Sequence, residues 1–414
     1  MPGVVLAVFA AVYLGMLLGR FPRLALDRTG IALLGAIALL ATGATTLADA
    51  GRAVDVPTLA LLFGLMVVSA QLRLGGFYSR VGWGLAELPL PPARLLALIV
   101  AAVGCLAAVF SNDVVCLAVA PVLVEACARR RLDPIPFLLA LACAANVGSA
   151  ATLIGNPQNM LVGQTLALPF VGYLAHAALP TALGLVATWA VIALQSRGRW
   201  GAPPIRVGVA TSAPEPIPSF DRWQTAKGLG VASGLLIAFL ATSWPREIAA
   251  LAGAGALLTS RKLHSRATLG LVDWQLLVLF IGLFVVNGAF EQAGLPAEAV
   301  AALRSSGVDL QRPAPLFAAT VLLSNAVSNV PAVMLLLPLA RATHAGPLLA
   351  LASTLAGNLL LVGSIANLIV VDAAARRGVE IDWRRHARTG VPVTLATLAI
   401  AAAALWAQSA RGLL

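Results

Sequence analysis

The chain has 414 residues, 60% of them hydrophobic, with a mean hydropathy of +0.91 and a formal net charge of +11. Soluble domains are nearer half apolar, so this composition excludes one. At about 20 apolar residues per crossing, it supplies on the order of ten membrane spans. The positive charge does not mark a nucleic-acid binder, because it follows the loops.

Val4–Gly19 reads as the first span: Met1-Pro2-Gly3 lacks the basic start of a cleavable signal. Ile31–Leu47 is the second and Thr58–Gln71 the third, and Gly75–Glu87 reads as an interfacial helix. Leu95–Phe110 and Val114–Ala128 are apolar arms joined at Ser111-Asn112-Asp113, both flanked by arginines and each too short to span comfortably. That pattern predicts a re-entrant hairpin over 95–128. Ile135–Gly163 follows, broken at Gly155–Asn159, and then Phe170–Leu194. Residues 195–227, rich in Pro, Gly, Ser and Arg, read as a cytoplasmic linker.

The second half echoes the first. Asp55 and Asp273, Gly64 and Gly282, and Gly76 and Gly294 all lie 218 apart. The tips Ser111-Asn112 and Ser328-Asn329 lie 217 apart, and Gly155 and Asn159 match Gly363 and Asn367 at 208. All but six of the 28 basic residues (Arg52, Arg246, Arg304, Arg312, Arg341, Arg411) fall to one face. The positive-inside rule makes that face cytoplasmic and puts the N-terminus outside. It also inverts one half relative to the other. The expected fold is an all-α polytopic membrane protein of two inverted-topology repeats. Residues 1–56 are N-terminal scaffold helices, and 57–194 are repeat 1, with its hairpin and broken helix 135–163. Residues 228–414 are repeat 2, with hairpin 314–345 and broken helix 347–371.

Broken helix at membrane depth survives only where it lines a protein-buried or wet cavity, and secondary transporters build their sites from such breaks. The candidate binding residues are therefore Ser111, Asn112, Asp113, Gly155, Asn156, Gln158, Asn159, Ser328, Asn329, Gly363, Ser364 and Asn367. Their amides and hydroxyls donate and accept, and half-helix N-termini favour anions. Capping of the broken helices is the bland alternative. Asp113 is the one carboxylate placed deep in the membrane, its counterpart being Val330. Such a group is a functional candidate by default, here for proton or sodium coupling. His176 reads as a packing histidine or a proton relay. Asn146, Ser149, Thr152, Asn325 and Asn358 pack helices or line the cavity. No Lys or Arg falls in these cores, which favours a neutral or singly charged oxyacid. Cys105, Cys116, Cys127 and Cys143 lack metal or redox spacing and read as small buried hydrophobes.

The run Asn146-Val147-Gly148-Ser149-Ala150-Ala151-Thr152-Leu153-Ile154-Gly155-Asn156-Pro157-Gln158-Asn159 resembles the signature of the arsenite and anion permease branch of the ion transporter superfamily. Ala356–Asn367 resembles its second-half partner. That superfamily also holds divalent anion:sodium symporters and sodium/proton antiporters. The resemblance implies an elevator-type transporter in the inner (plasma) membrane, usually a homodimer, with ion and substrate sites at the Ser-Asn tips. Ser111-Asn112-Asp113 and Ser328-Asn329-Val330 depart from the Ser-Asn-Thr of dicarboxylate symporters. The expected function is a secondary active permease for a small inorganic anion such as arsenite, driven by protons or membrane potential. A sodium/proton antiporter and a sodium-coupled dicarboxylate or sulfate symporter are the alternatives. The expectation is not an enzyme. It includes no nucleic-acid partner, no cofactor beyond a coupling proton or sodium (the latter at the hairpin tips), and a separate ATPase subunit only if transport is ATP-driven.

Overall fold

The computed structural model describes residues 1–19, 25–201, 219–339 and 344–412. Arg20 and Arg23 of the first basic loop, Arg206 with residues 202–218 of the linker, and Arg341 lie outside the described residues. The described chain is helical throughout, without a strand. Its first ten helices are α1 (Pro2–Leu18), α2 (Arg28–Ala41), α3 (Leu47–Ala53), α4 (Val56–Leu74), α5 (Phe77–Ala86), α6 (Pro92–Val109), α7 (Asn112–Arg129), α8 (Pro134–Ser149), α9 (Pro157–Thr165) and α10 (Phe170–Gln195). The next ten are α11 (Arg222–Ala241), α12 (Arg246–Leu258), α13 (Ser265–Leu269), α14 (Trp274–Gln292), α15 (Leu295–Ser305), α16 (Pro313–Val327), α17 (Asn329–Leu336), α18 (Ala345–Ala356), α19 (Ile365–Ala375) and α20 (Trp383–Ala410). Among the described residues, six helices are long and apolar enough to cross a membrane: α4, α6, α10, α11, α14 and α20.

The second ten elements recur in the order of the first ten. Asp55 caps α4 by accepting from Thr58 N (3.0 Å), and Asp273 caps α14 by accepting from Leu276 N (2.9 Å). Gly76 and Gly294, at φ 72° and 75°, start α5 and α15 in a left-handed conformation that glycine adopts without strain. Gly64 lies against the Ala250 backbone, and Gly282 against the Ala32 backbone. The matched halves interlock: α4 packs on α11, α12 and α13, whereas α14 packs on α1, α2 and α3. Residues 1–56, set apart by the sequence reading as scaffold, thus have structural counterparts in α11–α13.

Two helices form the centre. Every residue of α18 is buried, as is every residue of α8 except Pro136. A helix apolar on all sides belongs inside the protein. Around this pair pack α6, α7, α10, α16, α19 and α20. The arms of the first hairpin are longer than expected, at 18 residues each. Helix α6 starts at Pro92, a residue pre-set for a first helical position, and α7 takes in Asn112 and Asp113. Only Phe110 and Ser111 separate the two arms, and Ser328 alone separates α16 from α17. Cys116, Cys127 and Cys143 are buried, but Cys105 is exposed on α6, correcting the expectation for that cysteine.

Candidate functional site

Both breaks lie N-terminal to where the sequence placed them. The first runs over 150–156 and the second over 357–364, the latter containing a short 3-10 turn, Leu361–Gly363. Asn156 caps α9, accepting from Asn159 N (2.9 Å), and Pro157 occupies the first helical position. Ser364 caps α19, accepting from Ala366 N (3.2 Å). Gln158, Asn159 and Asn367 therefore sit in first helical turns rather than in unwound chain. Asn112 and Asp113 likewise open α7, and Asn329 opens α17. Gly155 is required where it stands: a Cβ there would lie 2.3 Å from Ser149 O. Its carbonyl accepts from Asn112 N (3.2 Å), joining break to tip.

Tips and breaks meet around a cavity of about 30 Å³. Asn112, Asp113 and Gln158 line it from the first half, and Ser328, Asn329 and Ser364 from the second, with Leu276 of α14 at its wall. The first residues of four helices border it: Asn112, Pro157, Asn329 and Ile365. Each helix N-terminus brings about half a positive charge, although Asn112 N, Asn159 N and Ala366 N are already held by Gly155 O, Asn156 Oδ1 and Ser364 Oγ. No Lys or Arg lines the cavity. Ser111 borders a separate, mostly apolar void beside Ser69 and Phe110. Ser328 holds φ 81° and ψ 159°, whereas its counterpart Ser111 has φ −55°. The Ser328 conformation is close to glycine-only and costs on the order of 1–3 kcal/mol.

Gly155, Asn156, Asn159, Gly363 and Asn367 do not border the cavity; the asparagines among them build its support, through bonds that repeat at a spacing of 208. Asn159 Nδ2 donates to Thr152 O (2.9 Å) and Ser149 O (3.4 Å). Asn367 Nδ2 donates to the matching carbonyls, Leu360 O (3.2 Å) and Gly357 O (2.9 Å). Asn159 Oδ1 accepts from Thr354 Oγ1 (3.1 Å), across the halves. Asn367 Oδ1 accepts from Asn146 Nδ2 (3.2 Å), and Asn146 is 208 residues before Thr354. Asn156 Nδ2 reaches Thr354 Oγ1 (3.2 Å), while Ser364 Oγ donates to Asn146 Oδ1 (2.9 Å). Two hubs, Asn146 on α8 and Thr354 on α18, thus each hold the other half's break. The sequence reading named Asn146 only as a packing or lining residue and missed Thr354; the 208 spacing from Asn146 was the signal.

His176 Nδ1 lies 2.9 Å from Gln408 Oε1, and Gln408 Nε2 donates back to His176 O (3.1 Å). This half-buried pair ties α10 to α20, which fits packing. Asn325 Nδ2 donates to Val321 O and Ala356 O, holding α16 against the end of α18. Arg246 donates to Gly163 O (2.8 Å), and Gln164 Nε2 to Glu247 Oε2 (3.0 Å), fastening the end of α9 to α12.

An all-helical chain with apolar helices of spanning length, interrupted over one buried polar centre, has the build of a multi-pass membrane transporter. The model of a family described as citrate transporter (CitMHS) matches residues 5–356, and the chain belongs to that family. The silicon efflux transporter LSI3 of Oryza sativa subsp. japonica is 30% identical over 92% of each chain. The inner membrane protein YbiR of Escherichia coli is 31% identical, covering 81% of this chain and 83% of its own. Among solved structures, the YdaH transporter of Alcanivorax borkumensis shares the fold, with a TM-score of 0.58 over 99% of both chains at 14% identity.

Proposed function

We propose that this transporter is a secondary active permease for a small inorganic oxyanion or its acid, arsenite among them, coupled to protons or to membrane potential. One observation carries the reading: four helix N-termini converge on a single small cavity that no Lys or Arg lines. Such ends attract an oxyanion without a fixed cation. The cavity, at about 30 Å³, is an order of magnitude below the roughly 300–1,000 Å³ of pockets for drug-sized organic ligands. That favours an inorganic ligand over a citrate-sized one. The name of the LSI3 relative, a silicon efflux transporter, points the same way.

In this reading the halves are inverted repeats around the hubs Asn146 and Thr354, and the two tips with the broken helices ride as one body past a scaffold that includes α4 and α14. The N-terminus faces outside, the protein resides in the inner membrane, and two copies pair through their scaffolds. Asp113, at the cavity, is the proton carrier. The same placement supports a second reading, sodium/proton exchange on Asp113. Proteoliposomes with an internal pH dye and no imposed sodium separate the two. Arsenite, sulfate, a dicarboxylate and sodium chloride are added in turn. Proton movement on arsenite supports the permease, while movement on sodium alone replaces it with the antiporter. A response confined to the dicarboxylate refutes the oxyanion reading.

A further inference from the structure

The orientation of Asn112 is set by backbone carbonyls two amides away. Asn358 Nδ2 donates to Cys143 O (3.3 Å), and Asn367 Nδ2 to Gly357 O and Leu360 O. A carbonyl oxygen only accepts, so both amides must turn their own Oδ1 toward Asn146. Asn146 must then donate through Nδ2 to both, at 2.8 and 3.2 Å, and present Oδ1 on its other side. That oxygen accepts from Ser364 Oγ and from Asn112 Nδ2 (3.0 Å). One arrangement is left for Asn112: its amide donates to Asn146, and its Oδ1 is buried without a partner. Asn329 Oδ1, from the opposite tip, is also buried and unpartnered. Both residues line the cavity, and both are at least nine-tenths buried.

Two unpartnered amide oxygens thus belong to residues that border the cavity onto which four helix N-termini open. We infer that the site selects an oxyacid that still carries a hydroxyl proton: the helix N-termini take its bare oxygens, while Asn112 and Asn329 accept its O–H groups. The inference rests on the oxyanion reading and narrows it. A fully deprotonated oxyanion of the same size would leave the two acceptors buried and unpaired, a large penalty in a site built to bind hydroxyl.

The test uses probes matched in shape and charge and differing in the hydroxyl. Bicarbonate and nitrate are planar and singly charged; dihydrogen phosphate and perchlorate are tetrahedral and singly charged. Boric acid adds a neutral hydroxyl donor. Binding to the purified full chain is followed by calorimetry at slightly acid pH, where phosphate is chiefly the singly charged dihydrogen form, in wild type, Asn112→Ala and Asn329→Ala. The hydroxyl-bearing member of each pair is expected to bind at least about tenfold tighter. That ratio should fall toward one in each variant that folds, whatever happens to absolute affinity. Nitrate and perchlorate binding as tightly as their partners, or a ratio that survives both substitutions, overturns the inference and leaves the oxyanion reading in place. Absence of binding by any probe overturns both.

Discussion

Gly64 and Gly282 offer a quantitative check on the correspondence between the halves. A methyl group added at Gly64 would stand 2.7 Å from the Ala250 carbonyl carbon and 2.8 Å from its oxygen. Added at Gly282, it would stand 2.7 Å from the Ala32 carbonyl carbon and 2.9 Å from its oxygen. Carbon–carbon contacts settle at about 3.5–4.0 Å, so each helix pair must part by roughly 1 Å. The obstacle is backbone, which cannot rotate aside, and the cost belongs at the upper end of the roughly 1–3 kcal/mol of overpacking. Alanine recovers about 1 kcal/mol over glycine inside a helix. The net loss is then about 1–2 kcal/mol for Gly64→Ala, and the same for Gly282→Ala. Gly230 on α11 is exposed and has no atom within 4 Å of its would-be Cβ, so Gly230→Ala should gain up to about 1 kcal/mol. Thermal unfolding of the three purified variants in one detergent reads the comparison. Both interface variants should melt below wild type by similar amounts, with Gly230→Ala at or above it. Either interface variant behaving like Gly230→Ala would refute the packing argument, and unequal losses would refute the equivalence of the two contacts.

Asp113→Asn should abolish proton movement in the proteoliposome assay while sparing tracer flux of the anion down its own gradient; unchanged proton movement would remove Asp113 from the mechanism. Thr354→Val leaves Gln158 Nε2 and Asn159 Oδ1 without their hydroxyl partner, while Asn156 Nδ2 keeps Ser149. At about 1–3 kcal/mol for each buried group left unpaired, it should lower the melting temperature well below that of Thr354→Ser, and equal melting would refute the hub role. Ser328→Gly should raise stability, by an amount of order 1–3 kcal/mol, and weaken transport through the lost hydroxyl. Ser111→Gly, at an unstrained φ, should give no such gain in the same melts.

The features legible in the sequence were those with only one local solution. Asp55 and Asp273 could be matched because each caps a helix, and Gly76 and Gly294 because each starts one at positive φ. Gly64 and Gly282 matched because each touches backbone. The limits of the breaks were not legible. Asn156-Pro157-Gln158-Asn159 looks like an interruption, yet a capping Asn followed by Pro is how a helix begins, so the unwound chain lies before it. The counterpart of α1–α3 was missed because plain apolar helices carry few such marks. Thr354 escaped because its match, Asn146, is a different residue: the hub needs a hydrogen-bonding group at that depth, and an amide or a hydroxyl will serve. Divergence at matched positions therefore carries its own information. At Gly64 and Gly282, at Gly76 and Gly294, and at the capping Asp55 and Asp273, where backbone geometry rules, the halves carry the same residue. Asp113 against Val330, and Asn146 against Thr354, mark places where one half can hold a proton or fix an amide's direction and the other cannot. The cavity is asymmetric in its chemistry although it is assembled from matched parts.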